Sequence, residues 1–263
     1  MFLKKFTCRA VAALLIVGGI ALVSPAENVH AADSSATDRY TKEIQQNPKD
    51  VDAYFNRGLM YNGEQNDKAI ADFSMVIKLE PNEVRGYLHR GIAYRNAGQY
   101  DKAVQDFNKV ISLEPQNALN YMNRGYAYYL AKNYDKARAD YKTAIKKDSA
   151  YDPSIENDLA KLGIKLDLNP HNSAQAYYGL GLIDYDEKNY AAALENFNKA
   201  IADTEKPMFY EARAKCHKAL GNDDKARTDL KRAAELNKAQ KENLDRMHDS
   251  VAENLEMEVE DDE

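Results

Sequence analysis

Ala69, Ala103 and Ala137 stand 34 residues apart twice in succession, each inside the same string of neighbours. Ahead of them run Tyr54-x-x-Arg57-Gly58-x-x-Tyr61, Tyr87-x-x-Arg90-Gly91-x-x-Tyr94 and Tyr121-x-x-Arg124-Gly125-x-x-Tyr128. Four residues after each alanine comes an aromatic ring: Phe73, Phe107 and Tyr141. Pro81 and Pro115 close the first two units. A fourth unit follows in Tyr177-x-x-Leu180-Gly181 with Ala193 and Phe197. A weaker fifth follows in Tyr210-x-x-Arg213-Ala214 with Ala226 and Leu230. A fixed period of this length dictates small units that bury their apolar faces only against neighbours, so the core runs along the chain instead of gathering at one centre. With 44% apolar residues, 12 Gly and 7 Pro, the composition suits such packing and excludes a disordered or collagen-like chain.

With Tyr for Trp and Arg for Leu, the unit resembles the tetratricopeptide repeat over residues 51–237. The resemblance implies an all-α fold: an α-solenoid superhelix of stacked antiparallel helix pairs, here interrupted by one extra helix. The residues give that expectation a physical basis. Helix A carries Gly where helix B crosses closely, and helix B offers Ala with an aromatic one turn later, so small and large side chains interlock. Asp67, Asp101, Asp135 and Asp224 each precede the Lys-Ala at the start of helix B. There an Asp is expected to accept from free first-turn amides and to suit the positive end of the helix dipole. Proline ends the unit because it cannot continue the helix.

One correlation goes beyond the general pattern. Units with Arg57, Arg90, Arg124 and Arg213 have Asp72, Asp106, Asp140 and Asp229 just before the aromatic or Leu230, whereas the unit with Leu180 has Asn196. An ion pair joining helix A to helix B is expected in those four units. Duplication of one ancestral unit would leave the same correlation without a contact.

The spacing breaks once: Ala137 to Ala193 is 56 residues, and the excess contains Asp152-Pro153-Ser154 followed by Ile155, Leu159, Leu162 and Leu166. These predict one extra amphipathic helix over about 154–168, and an odd helix predicts a kink between units 1–3 and units 4–5. At the start, Lys4, Lys5 and Arg9 precede the fourteen-residue uncharged run Ala10 to Val23 and then Val29-His30-Ala31. That order reads as a secretory signal cleaved after Ala31 or after Ala26, the apolar run being short of the roughly 20 residues a membrane span needs. No stable membrane insertion is expected after cleavage, and retention as an anchor is the alternative. Cys8 lies ahead of the apolar run, so it is no lipidation site. The expected division is residues 1–31 signal peptide, 32–50 lead-in helix, 51–149 units 1–3, 150–172 extra helix and linker, 173–237 units 4–5, and 238–263 capping helix and acidic tail. Residues 253–263 hold seven Asp and Glu with no Lys or Arg, and a solvated, disordered end is expected there.

Chemistry is harder to find. The five histidines, His30, His89, His171, His217 and His248, form no metal-ligand spacing. Cys216 and His217, neighbours on a helix, point apart and make a poor catalytic pair. No phosphate loop or nucleophile elbow is present. No catalytic residue, cofactor or metal is therefore expected, and the protein is read as no enzyme. A formal charge of −6 argues against nucleic acid as a partner.

The resemblance implies peptide or protein binding in a concave groove lined by helix A. Its lining positions lie one, five and eight residues after the helix A tyrosine: Phe55, Leu59 and Asn62; Leu88, Ile92 and Arg95; Met122, Tyr126 and Tyr129; Tyr178, Leu182 and Tyr185. Arg85 and Arg95 add local positive charge. Some family members grip C-terminal carboxylates with Lys and Asn on the first helix A, and Phe55 and Leu59 occupy those places here, which argues against that clamp. The expected function is a non-enzymatic scaffold or adaptor of the bacterial cell envelope, periplasmic or extracellular, with a periplasmic holdase-like chaperone or secretion and assembly factor as the alternative. The same positions would also serve simply to pack neighbouring A helices.

Overall fold

The computed structural model describes residues 29–148 and 172–260, which form eleven helices. These are α1 (Val29–Gln46), α2 (Val51–Tyr61), α3 (Asn66–Leu79), α4 (Val84–Asn96), α5 (Tyr100–Leu113), α6 (Ala118–Leu130), α7 (Tyr134–Asp148), α8 (Asn172–Asp186), α9 (Tyr190–Asp203), α10 (Pro207–Ala219) and α11 (Asp223–Glu260). Helices α2/α3, α4/α5, α6/α7, α8/α9 and α10/α11 are the A and B helices of units 1 to 5, each pair packed together and each B helix packed on the next A helix. The α-solenoid of antiparallel pairs is thus as expected. Residues 1–28 of the expected signal peptide and the extra helix expected over 154–168 lie outside the described residues.

The small-against-large logic holds at atomic distance. A Cβ on Gly58, Gly91 or Gly181 would stand 2.8, 2.8 or 2.5 Å from a ring carbon of Phe73, Phe107 or Phe197. Those three rings and the alanines Ala69, Ala103, Ala137 and Ala193 are fully buried. Unit 5 inverts the arrangement: with Ala214 in place of glycine, helix B carries Leu230, which remains 53% exposed.

All four expected ion pairs form, in one repeated geometry. Arg57, Arg90, Arg124 and Arg213 each donate from Nε to Oδ2 of Asp72, Asp106, Asp140 or Asp229 at 2.8–2.9 Å and from Nη2 to Oδ1 at 2.6–2.8 Å. The remaining Nη1 reaches back to the preceding unit, donating to Thr41, Ser74, Asn108 and Asn198 respectively. Each arginine therefore ties its own unit together and ties that unit to the one before it. The acceptor is always the residue after the helix B aromatic, and the rule accounts for unit 4. Unit 3 has Lys142 there, which cannot accept, and unit 4 has Leu180, which does not donate. Its charge comes from the other side: Arg138 on α7 pairs with buried Asp184 at 2.7 Å and with Glu187, and Asn196 donates to Asp184 at 2.7 Å.

Across the joint between units 3 and 4, helix α8 packs on α7, as α4 does on α3, and also on α6. Tyr141 shares a buried cluster with Ala176, Leu180 and Ile183, and a Cβ on Gly179 would lie 2.4 Å from its ring. Asp148 at the end of α7 accepts from the Ser173 amide at 2.7 Å, closing the joint at the start of α8. The described residues on either side of 149–171 thus pack directly against each other.

Three further expectations change in detail. The lead-in helix, expected over 32–50, runs from Val29 to Gln46. It serves as a B helix ahead of unit 1, its Ala36, Tyr40, Thr41 and Pro48 repeating the spacing of Ala69, Phe73, Ser74 and Pro81, with Thr41 receiving Arg57. Asp67, Asp101 and Asp135 sit inside the first turn of helix B. They act on the helix dipole while Gln65 and Gln99 occupy the cap without a side-chain bond. Side-chain caps are found on the A helices, where Asp50, Glu83 and Asn117 accept from Ala53, Arg85 and Leu119 amides, and on the B helix α7, where Asn133 accepts from Lys136. Finally, no separate capping helix follows unit 5, because α11 runs unbroken through Glu260, and its backbone is helical over much of the segment expected to be disordered.

Candidate functional site

The thirteen positions expected to line the groove share one environment: every one is half-buried. Their aliphatic members are edge packing. Leu59 lies on Ala69, Phe73 and Ala93; Leu88 and Ile92 on Ala103, Phe107 and Ala127; Leu182 on Ala193, Phe197 and Cys216; Met122 on the Tyr141 cluster. For these five the packing role is the observed one.

The aromatic and polar members add ring and polar contacts, some to the next A helix and some to a B helix, while Phe55, Tyr129, Tyr178 and Tyr185 also pack on the same buried clusters. On α2 and α4, the Phe55 and His89 rings meet edge to face at 5.0 Å, Arg85 lies 4.8 Å from the Phe55 ring centre, and Arg85 pairs with Asp52 at 2.8 Å. Asn96 donates to Asn62 at 3.1 Å. Between α4 and α6, Arg95 donates to Asn123 at 3.3 Å and covers the Tyr126 ring at 4.9 Å. Tyr126, Tyr129 and Tyr134 follow with near-parallel rings, centres 6.2 and 5.9 Å apart. Tyr178 packs against Phe197 and Phe209, and Tyr185 against Tyr190. Burial pushes the Tyr178 hydroxyl up to about 12 and raises that of Tyr129, the latter with help from Asp186, so both are neutral donors at physiological pH.

Sequence reasoning missed His89 and Asn123, which lie two residues after the helix A tyrosine, a register it did not read. The signal was available: that register gives Asn56, His89 and Asn123, polar in three successive units.

His89 is held between Phe55 and Phe73, with Nδ1 buried and unpaired. Burial, and secondarily the Arg85 charge, pushes its pKa from 6.5 down to about 4. The folded protein therefore keeps it neutral where the unfolded chain takes up a proton. Stability is undiminished above pH 6.5, falls as pH drops from 6.5 to 4, and levels off below. The loss attributable to this group is at most about 3 kcal/mol. Urea midpoints of wild type and His89→Phe, compared across that window, should converge as pH falls; parallel profiles would contradict the assignment.

Cys216 is fully buried and its thiol is pushed up to about 11, so it is neutral and packs as a small apolar group. Its neighbour His217 faces Asp229 at 3.9 Å. Among the described residues no cluster of ligating side chains fits a metal, and no helix is long and apolar enough to cross a membrane.

Tetratricopeptide-repeat profiles match residues 59–118 and 88–153 and, in a second form, 174–202 and 209–240, together more than half of the chain. No curated protein matches. Among solved structures, a tetratricopeptide repeat protein from Parabacteroides merdae is similar with TM-score 0.60 and 17% identity, over 80% of this chain and 74% of that one. BtubC (BKLC) from P. vanneervenii gives 0.56 and 15%, over 80% and 90%. MamA gives 0.50 and 22%, over 73% and 94%. At these identities the likeness is one of fold.

Proposed function

Because this chain belongs to the tetratricopeptide-repeat family, whose members generally act through protein contacts and not catalysis, we propose that it is a non-enzymatic adaptor that holds a peptide segment of a partner along the A helices. One observation carries the reading: across units 2 and 3 the A helices present a half-buried row, Arg95, Asn123, Tyr126 and Tyr129, which Tyr134 at the start of α7 extends. Aromatic residues with a polar tip are the side chains that give recognition surfaces contact area at low entropic cost. The C-terminal helix α11, which could have covered this row, packs instead on α10. Residues 1–31 are read as an export signal, which places the adaptor in the cell envelope. Leaving without them, the chain loses a net charge of +2 and carries −8.

Tyr126→Ala with Tyr129→Ala should reduce recovery of native partners from an envelope extract by about tenfold, at unchanged helical circular dichroism, since each ring truncated at a packed contact costs about 1 kcal/mol or more. Unaltered recovery would contradict the groove. Suppression of aggregation of unrelated model clients, in place of retention of a few defined partners, would favour the holdase. Intact mass of the exported protein reads the signal directly: the chain should begin at Ala32 or Glu27, and an unprocessed chain would contradict cleavage.

A further inference from the structure

Helix α11 far outruns the helix it packs on: it has 38 residues, Asp223–Glu260, against 13 in α10, Pro207–Ala219. Its first turns behave as an ordinary helix B. Where α11 lies on α10, Ala226, Asp229 and Ala233 are buried and Asn237 is half-buried. From Lys238 to Arg246 every residue is exposed, Leu244 among them at 40%. Residues 238–260, about 35 Å of helix, thus extend beyond the helix pair. A helix without tertiary contacts is marginal in water, because most helical stability comes from packing an apolar face. The overhang has such a face in its sequence. Steps of three and four residues lead from Leu244 to Met247, Val251 and Leu255, and the same period, counted back, reaches Asn237 and Ala233. The stripe that α10 covers at Ala233 therefore continues past the end of α10 and is open at Leu244. Charge is divided along the same stretch. Lys238, Lys241 and Arg246 lie in its first part, whereas 247–263 hold eight Asp and Glu and no Lys or Arg.

We propose that the overhang of α11 is a self-association surface: residues 238–260 of two copies of this chain pair antiparallel about residue 249, forming a two-fold dimer. This register sets 247 opposite 251 and 244 beside 255, all four apolar. The stripe continues one that is already an interface, since α10 occupies its first part. A two-fold axis lets one such stripe complement itself. Charge fixes the direction. Parallel pairing would lay one acidic end on the other, a juxtaposition of like charges that is strongly disfavoured, while antiparallel pairing brings each acidic end alongside Lys238, Lys241 and Arg246 of the other copy. Nothing in this pairing depends on what the A helices bind.

The test uses the chain beginning at Glu27, which keeps every described helix, in sedimentation equilibrium from micromolar to submillimolar concentration. The mass should rise from that of one chain to that of two. Leu244→Asp combined with Met247→Asp should weaken association at least about a hundredfold, since each dimer loses four apolar side chains. Leu244 is exposed in the single chain, so the thermal midpoint of the dilute variant should match that of wild type. Direction is read by disulfide formation. Gln240→Cys mixed with Glu258→Cys should give the mixed disulfide on oxidation, with little linkage of either variant to itself; Cys216, fully buried, does not compete. Each variant linking to itself would mean parallel pairing and would overturn the proposal. Association unaffected by the two aspartates would place the contact elsewhere and overturn it equally. A single-chain mass at every concentration overturns it too and leaves the stripe to a helix of another protein.

Discussion

Asp106→Ala should destabilise the second unit and its joint with the first by about 3–5 kcal/mol, the cost of removing one member of a buried ion pair. The Asp106 side chain is almost wholly buried, and both its oxygens are engaged by Arg90 at 2.8 Å. Its loss leaves the Arg90 guanidinium between the Tyr87 and Tyr94 rings, bonded to Ser74 alone. Arg90→Leu combined with Asp106→Asn should cost much less than the sum of its parts, because it reproduces the Leu180 and Asn196 combination that unit 4 carries. Urea unfolding of wild type, Arg90→Leu, Asp106→Asn and their double variant, read by circular dichroism, gives the coupling energy. Because repeats unfold partly by nearest-neighbour steps, amide exchange in α4 and α5 should report the same loss locally. A coupling indistinguishable from zero would mean that the Arg/Asp correlation records only duplication.

The other large effect concerns the helix crossings. Gly181→Val should cost about 3–5 kcal/mol. Even a single Cβ at Gly181 would stand 2.5 Å from Phe197 Cε1 and 2.7 Å from Cδ1, so the ring must leave a site in which it is fully buried. The cost then approaches that of deleting a packed phenylalanine. The fifth unit is the internal control: it has Ala214 at this place, and its helix B carries Leu230, half exposed, instead of a ring. Gly181→Val with Phe197→Leu should therefore recover part of the loss. A thermal midpoint for Gly181→Val equal to that of wild type would show that the crossing is looser than these distances require.

Much of this fold was legible because its constraints are local and recurrent. Gly91 and Phe107 are 16 residues apart and reappear in other units, so a packing requirement becomes a pattern. The Arg–Asp pairs were readable for the same reason, through the one unit that lacks them. The joint between units 3 and 4 was not. Its partners, Arg138 with Asp184 and Glu187, span the interruption and occur once, leaving no periodicity to reveal them. Gly179, whose backbone meets the Tyr141 ring, brings the described residues on either side of 149–171 into direct contact. Continuity of α11 was equally hidden, because a charged helix B and a charged extension share one periodicity and no Gly or Pro separates them. For the candidate site, register alone picked out the A-helix positions, but telling the edge packing of Leu88 from the Arg95 and Tyr129 contacts of Tyr126 required the contacts themselves.

The central claim is that the A-helix face is where a partner lies, and photo-crosslinking tests it most directly. With p-benzoylphenylalanine placed at Tyr129 on that face, and separately at Gln105, exposed on the B helix α5, irradiation in cells followed by mass spectrometry of the crosslinked peptides should give a defined partner segment from Tyr129 and none from Gln105. The same segment crosslinked from Gln105, with nothing from Tyr129, would contradict the account.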